Sequence, residues 1–231
     1  MHIMEGFLPL EWAAFWWAVA IPCLVFGIYQ LRRTLSADRE ALPLLGVTGG
    51  FIFILSSLKL PSVTGSCSHP TGTGLSAVCF GPFVTSVVCA IVLLFQSLFL
   101  AHGGLSTLGA NIVSMGVVGP FAGWVVYRAL RDTRVSLPLT IFLSCAIADL
   151  LTYVVTSLEL ALAYPAGVGG VVSSFVLFLG IFAITQVPLA IVEGIVLALV
   201  FKYIVSLKPE ILVRLRVFPE EKIRAAGGGV Q

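Results

Sequence analysis

Leu75-Ser-Ala-Val-Cys-Phe-Gly-Pro-Phe-Val-Thr-Ser-Val-Val-Cys-Ala-Ile-Val-Leu-Leu-Phe-Gln-Ser-Leu-Phe-Leu100 contains no charged residue. It is long enough to cross a bilayer, which takes about 20 apolar residues for ~30 Å of hydrocarbon. Gly81-Pro82 interrupts it. Proline has no N–H to continue a helical ladder, and glycine tolerates backbone angles that other residues avoid. The stretch is therefore either one full span or two pieces, and the choice fixes the parity of every span that follows.

Charge decides between them. Arg128, Arg131 and Arg134 close the glycine-spaced span Leu108–Leu130, and Lys202, Lys208, Arg214 and Arg216 follow the last span, Val171–Ile204. Basic residues flanking spans stay in the cytoplasm. One full span at 75–100 leaves both clusters outside. A short inward piece to Gly81 and an outward helix from Pro82 bring both inside. The sequence thus predicts an all-α integral membrane protein of about seven transmembrane helices, one short or broken. The N-terminus is outside and the C-terminus cytoplasmic; six passes is the alternative.

The remaining spans fit that frame. Leu10–Tyr29 starts among Trp12, Trp16 and Trp17, as interfacial aromatics do, and precedes Arg32, Arg33 and Arg39. Leu42–Leu60 runs outward and contains Gly46-Val-Thr-Gly-Gly50, whose Gly46 and Gly50 let another helix approach closely, within the chain or on a partner. Leu137–Tyr164 contains Asp149 and Glu159, and the last span contains Pro188, a kink site, and Glu193. Asp149 and Glu193 are costly inside a membrane and are expected to pair with Ser, Thr or Gln neighbours.

Composition agrees. Of 231 residues, 58% are hydrophobic and 10% charged, against about 25% charged in soluble domains. The chain belongs in a lipid bilayer. Residues 1–205 form one membrane-embedded domain, and 206–231 a cytoplasmic tail, with the polar, glycine-rich Glu220–Gln231 frayed. No basic patch interleaved with aromatics suggests nucleic acid. Five cysteines without a CxxC give no disulfide framework. Residues 1–30 lack the basic start and cleavage site of a signal peptide, so Leu10–Tyr29 is a retained helix.

Two polar stretches remain, residues 1–9 and the loop 61–74. Met1 and His2 together are a chelator. The α-amine, the His2 backbone nitrogen and His2 Nδ1 close two fused rings on one ion and leave a fourth planar place. Ni(II) and Cu(II) favour planar nitrogen sets, and Co(II) accepts nitrogen. The loop Pro-Ser-Val-Thr-Gly-Ser-Cys-Ser-His-Pro-Thr-Gly-Thr-Gly has no apolar face, and its glycines and prolines forbid a regular helix. It can fold inward to offer His69 as the fourth nitrogen. His2, His69 and His102 are the only histidines, and the predicted topology puts all three outside. His102, at a helix end before Gly103-Gly104, is expected to pack or support. Cys67 could be a soft ligand or simply buried, and Ser66, Ser68 and Thr71 could orient ligands.

At these residues the chain resembles the CbiM/NikM family. The resemblance covers residues 1–205 and rests on the start Met-His-Ile-Met-Glu-Gly, the segments 56–74 and 93–111, Asp149-Leu-Leu-Thr-Tyr-Val-Val-Thr-Ser and Thr185-Gln-Val-Pro-Leu-Ala-Ile-Val-Glu-Gly. It implies the substrate-capture component of an energy-coupling factor transporter for Co²⁺ or Ni²⁺, carried as cargo rather than as cofactor. The ion would sit on the Met1 amine, His2 and His69. Implied partners are a transmembrane coupling protein, two cytoplasmic ATPases that hydrolyse ATP, and a small accessory membrane protein. That last partner is expected to be separate, because nothing apolar follows residue 205. The family leans towards cobalt and cobalamin biosynthesis; nickel uptake is the alternative. A stand-alone metal/proton exchanger is the rival class, but no inverted repeat or acid relay supports it. An intramembrane enzyme has no Walker A, GxSxG or HExxH motif to stand on.

Overall fold

The computed structural model describes residues 1–61 and 65–227. Six helices carry the apolar sequence: α1 (Leu10–Ala37), α2 (Ala41–Ser57), α4 (Pro82–Phe99), a continuous helical rod over 108–130, α7 (Leu137–Ala163) and α8 (Gly170–Leu207). The rod consists of α5 (Leu108–Asn111), a π-helical stretch (Ile112–Val118) and α6 (Gly119–Leu130). All but α2 have the length and hydropathy to cross a membrane. Their outer faces are apolar and bare: Val172 is 72% exposed and Ile184 77%. The buried side chains, by contrast, include Asp149, Glu159, Gln186 and Glu193. Apolar outside with polar groups enclosed is the arrangement for lipid, not water.

The break in 75–100 falls at the expected residues. α3 (Thr73–Phe80) ends at Gly81, whose φ of +84° suits glycine, and α4 starts at Pro82. α3 has eight residues, too few to cross a bilayer. Three boundaries differ from the sequence reading by three residues or more, one being α8, which ends at Leu207 rather than Ile204. α1 runs to Ala37 rather than Tyr29, because a helix need not stop where the hydrocarbon does. α2 ends at Ser57, three residues before Leu60.

Loop 61–74 is not wholly irregular. β1 (His2–Ile3), β2 (Leu60–Pro61) and β3 (Ser66–Ser68) form a three-stranded antiparallel sheet in the order β1-β3-β2. Residues 62–64 of that loop lie outside the described residues.

One core surrounds the N-terminal segment and includes Met1, Ile3, Trp16, Leu93 and Ile112. A second, at the other end, includes Tyr127, Leu137, Phe201, Leu212, Phe218 and Ile223. The second core corrects the reading of a frayed tail: α9 (Pro209–Arg214) and α10 (Glu220–Ala225) fold back and bury Leu212 and Ile223. Tyr127 Oη donates to the Val217 carbonyl, and Lys222 Nζ donates to the Leu130 and Arg131 carbonyls at the end of α6. Residues 228–231 lie outside the described residues.

Candidate metal centre

The site is assembled from four separate parts of the chain. Pairing of β1 with β3 sets His2 opposite Cys67 and Ile3 opposite Ser66. The Met4 amide continues the pairing onto the Gly65 carbonyl at 2.9 Å. Met1 and His2 are drawn into the protein and are fully buried.

The other edge of β1 meets side chains rather than a strand. The Ile3 amide donates to Asn111 Oδ1 at 2.8 Å, and Asn111 Nδ2 donates back to the Ile3 carbonyl at 3.0 Å. Thr107 Oγ1 donates to the same carbonyl at 2.8 Å. Asn111 therefore satisfies the edge as a neighbouring peptide would. Gly103 and Gly104 make room. A Cβ on Gly103 would lie 3.2 Å from Asn111 Nδ2, and one on Gly104 would collide with the Cα of Glu5.

The loop bearing His69 is tied to α8. Glu193 accepts from the Thr71 amide at 2.5 Å, the Gly72 amide at 2.9 Å and Thr71 Oγ1 at 2.9 Å. Ser68 Oγ and Thr185 Oγ1 are 2.8 Å apart. The expected pairing of Glu193 with a threonine is observed. Asp149 differs: both its carboxylate oxygens are buried with no hydrogen-bond partner among the described residues.

These ties converge on a cluster of His2, Cys67, His69 and His102, with one ligand atom from each within 4.8 Å of the others. His102 Nε2 lies 3.0 Å from His2 Nδ1 and 2.9 Å from Cys67 Sγ. His69 Nδ1 donates to the Pro70 carbonyl at 2.8 Å. That fixes the tautomer and leaves the lone pair on Nε2, which has no partner among the described residues. Buried ring nitrogens without partners are costly unless something binds them.

The electrostatics suit a cation that arrives to neutral donors. Burial lowers the pKa of the Met1 amine below its ordinary value. Burial first, and then a neighbouring positive charge, hold His2 and His69 well below the usual histidine range; for His2 that charge is His69's, and for His69 it is the Met1 amine's. His102 falls to about 4, again chiefly through burial. Burial pushes the Cys67 thiol up. Every nitrogen is thus biased to its unprotonated form, which is the form that binds metal.

Of the residues singled out in the sequence, His2, His69, Cys67 and His102 come together, with Met1 buried beside them. Ser66 lies in β3, and Ser68 and Thr71 fasten the loop to α8. Gly46 and Gly50 lie elsewhere, on the open face of α2, where an added Cβ would meet nothing within 4 Å. Gly49 between them is the one that packs, its Cβ position 3.3 Å from Val88 on α4. Sequence reasoning missed the roles of Asn111 and Thr107. The available signal was a lone amide in an otherwise apolar span.

Fold and site together define an all-α, multi-pass membrane protein with a buried His/Cys centre fit for a transported transition-metal ion. The chain belongs to the CbiM family, whose model, described as the cobalt uptake substrate-specific transmembrane region, matches residues 2–211. CbiM 2 of Methanosphaerula palustris is 66% identical over 98% of this chain and 96% of its own length. The cobalt transport protein CbiM of Moorella thermoacetica is 54% identical over 99% of this chain and 88% of its own. The crystal structure of a transition metal transporter shares the fold with a TM-score of 0.80 at 23% identity, over 94% of this chain and all of that one. A truncated transition metal transporter gives a TM-score of 0.77 at 25% identity, over 88% of this chain and 98% of that one.

Proposed function

We propose that the Met1 amine, the His2 amide and imidazole, and His69 hold a Co²⁺ or Ni²⁺ ion captured from outside the cell, and that the segments 1–9 and 61–74 are the parts that close over it. The observation that carries this is the convergence of the buried N-terminus, His2 and His69 through β1–β3 pairing. The chain is the substrate-capture component of a cobalt/nickel transporter of the energy-coupling factor type. It is a transport subunit and not an enzyme. Its partners by family are a transmembrane coupling protein and ATPases; the number of ATPases, two, and a separate accessory membrane protein are part of the proposal. Cobalt is the favoured cargo, as in the names of its relatives.

The topology we propose has the metal centre facing outward, about seven passes, the short one made by β3 and α3 together, and the residues after 205 in the cytoplasm. Two contacts support it. Arg214 pairs with Asp38 and Glu40 in the α1–α2 connection, and Lys222 caps α6. The basic clusters around 32–39, 128–134 and 202–216 therefore gather at one end of the bundle, and the histidines lie at the other. Gly46 and Gly50 line an apolar groove of about 720 Å³ between α1, α2 and α4, which suits a helix of the coupling protein.

Calorimetry on purified variants tests the ligand set. His2→Ala and His69→Ala should each abolish tight binding. One residue added before Met1 shifts His2 to position 3 and changes the ring pattern, and should block uptake with the partners co-expressed. Native affinity in His2→Ala, or native uptake by the extended chain verified intact by mass spectrometry, would overturn the assignment.

A further inference from the structure

The planar set proposed above uses four donors, yet two more lie within the same cluster. Cys67 stands directly across the β1–β3 ladder from His2, and His102 Nε2 touches both His2 Nδ1 and Cys67 Sγ, at 3.0 and 2.9 Å. Metal–nitrogen bonds run about 2.0–2.1 Å and metal–sulfur bonds about 2.3 Å. Two donors at right angles on one ion are then roughly 2.9–3.1 Å apart. Donors on opposite sides are roughly 4–4.4 Å apart, and one ligand atom each of His2, Cys67, His69 and His102 all lie within 4.8 Å of one another, so an ion held by the two histidines has the sulfur within reach. Both side chains are buried and held by strand pairing and a glycine-flanked turn rather than by flexible tethers.

A sulfur beside a planar nitrogen set does not affect all ions alike. Planar, low-spin Ni(II) has a filled pair in the orbital along the perpendicular axis and repels a donor there. Co(II) has one electron fewer and accepts a fifth ligand. We propose that the Cys67 sulfur is a direct ligand of Co²⁺ in this site and the residue that sets its preference for cobalt over nickel. The inference rests on the reading of the cluster as the cargo site and adds the donor that discriminates. On binding, the S–H bond is replaced by a sulfur–metal bond and the proton leaves to the solvent. No electron is transferred. His102, with Nε2 against the sulfur, is a positioning residue that orients Cys67 towards the ion.

The test is Co²⁺ loading of the full chain in detergent, followed by absorption spectroscopy and separate Co²⁺ and Ni²⁺ titrations. The wild type should show an intense near-ultraviolet sulfur-to-cobalt charge-transfer band. Cys67→Ser should lose that band and bind Co²⁺ about tenfold more weakly or worse, since losing even a group that only supports a ligand costs about 10–100-fold. Its Ni²⁺ affinity should change by less than about twofold. His102→Ala should keep the band with reduced intensity, and Cys67→Ser plus His102→Ala should have none. X-ray absorption of the Co²⁺-loaded wild type, which needs no variant to fold, should show a sulfur shell at about 2.3 Å. Absence of that shell, or equal weakening of Co²⁺ and Ni²⁺ in Cys67→Ser, overturns the role of Cys67 and leaves the nitrogen site standing. A wild-type chain that binds neither ion overturns the nitrogen site as well.

Discussion

Glu193 hydrogen-bonds the loop behind His69 rather than the metal-binding side chains, and the structure predicts that the site depends on it. Its carboxylate satisfies three buried donors at the turn behind His69: the Thr71 and Gly72 amides and the Thr71 hydroxyl. Glu193→Ala leaves all three without that acceptor. Each unsatisfied buried donor costs about 1–3 kcal/mol. Taking the low end, because Thr71 Oγ1 also lies 3.2 Å from Thr73 Oγ1, the loop loses about 3 kcal/mol of anchoring. If the loop then floats in the metal-free protein, binding must restore it. At 1.4 kcal/mol per decade this weakens Co²⁺ or Ni²⁺ by about a hundredfold. Glu193→Gln can keep two acceptor contacts and turns its NH₂ against one amide, so about tenfold is expected. Titration calorimetry on the purified chain measures both, and thermal unfolding with and without metal separates loop anchoring from global stability. Native affinity in Glu193→Ala would refute the reasoning. So would a glutamine variant weaker than the alanine one, because the effect would then not follow the number of satisfied donors.

Three further outcomes are expected. His2, His69 and His102 already favour their neutral forms, so above about pH 6.5 they release no proton when metal arrives. Affinity gained with rising pH then counts other protons: once the Met1 amine, whose pKa burial lowers, is also unprotonated, log K should climb by about two per pH unit in the wild type, for the His2 amide and the Cys67 thiol, and by about one in Cys67→Ser. The slope steepens only well below that pH, where the lowered imidazoles begin to take up protons; a flat profile in calorimetry across buffers would exclude both the amide and the sulfur. Gly46→Leu and Gly50→Leu point into open space, so unfolding temperature and metal affinity should hold while uptake with the coupling protein falls several-fold; full uptake would show that the groove is not a docking face. A cysteine probe at Asp132, which is exposed beside Arg131, should resist impermeant reagents added from outside intact cells, and ready labelling would favour six passes.

How much was legible in the sequence varies with how local the cause is. The break at Gly81-Pro82 was readable because both residues act on their own backbone. The long spans were readable because lipid demands continuous apolar sequence. The end of α1 was not, since hydropathy marks the hydrocarbon edge and the helix continues through Arg32 and Arg33 to Ala37. The sheet was invisible for another reason. Strands of two or three residues carry no period-2 pattern, and β1 pairs with β3 across some sixty residues that hold two helices. The histidines announced themselves by scarcity. Glu193 was readable as an intramembrane acid paired with a threonine, but the amides it also holds were not, and neither were the roles of Asn111 and Thr107, because the partners are main chain. The tail was misjudged on average polarity, although Leu212, Val217, Phe218 and Ile223 are enough to seat it.

The tie between Glu193 and Thr71 has a consequence for how the protein is made. The two partners are 122 residues apart in the chain. The ribosome delivers the N-terminal chelator first, then the His69 loop, then His102 and Asn111, and only much later the stretch of α8 that holds the loop down. Contacts this distant in sequence form late. A nascent chain halted before α8 emerges thus presents its histidines without the anchor that lets them act together. By the reasoning given for Glu193→Ala, a half-built chain should hold metal about a hundredfold more weakly, and full affinity is expected only when the last long helix has been inserted.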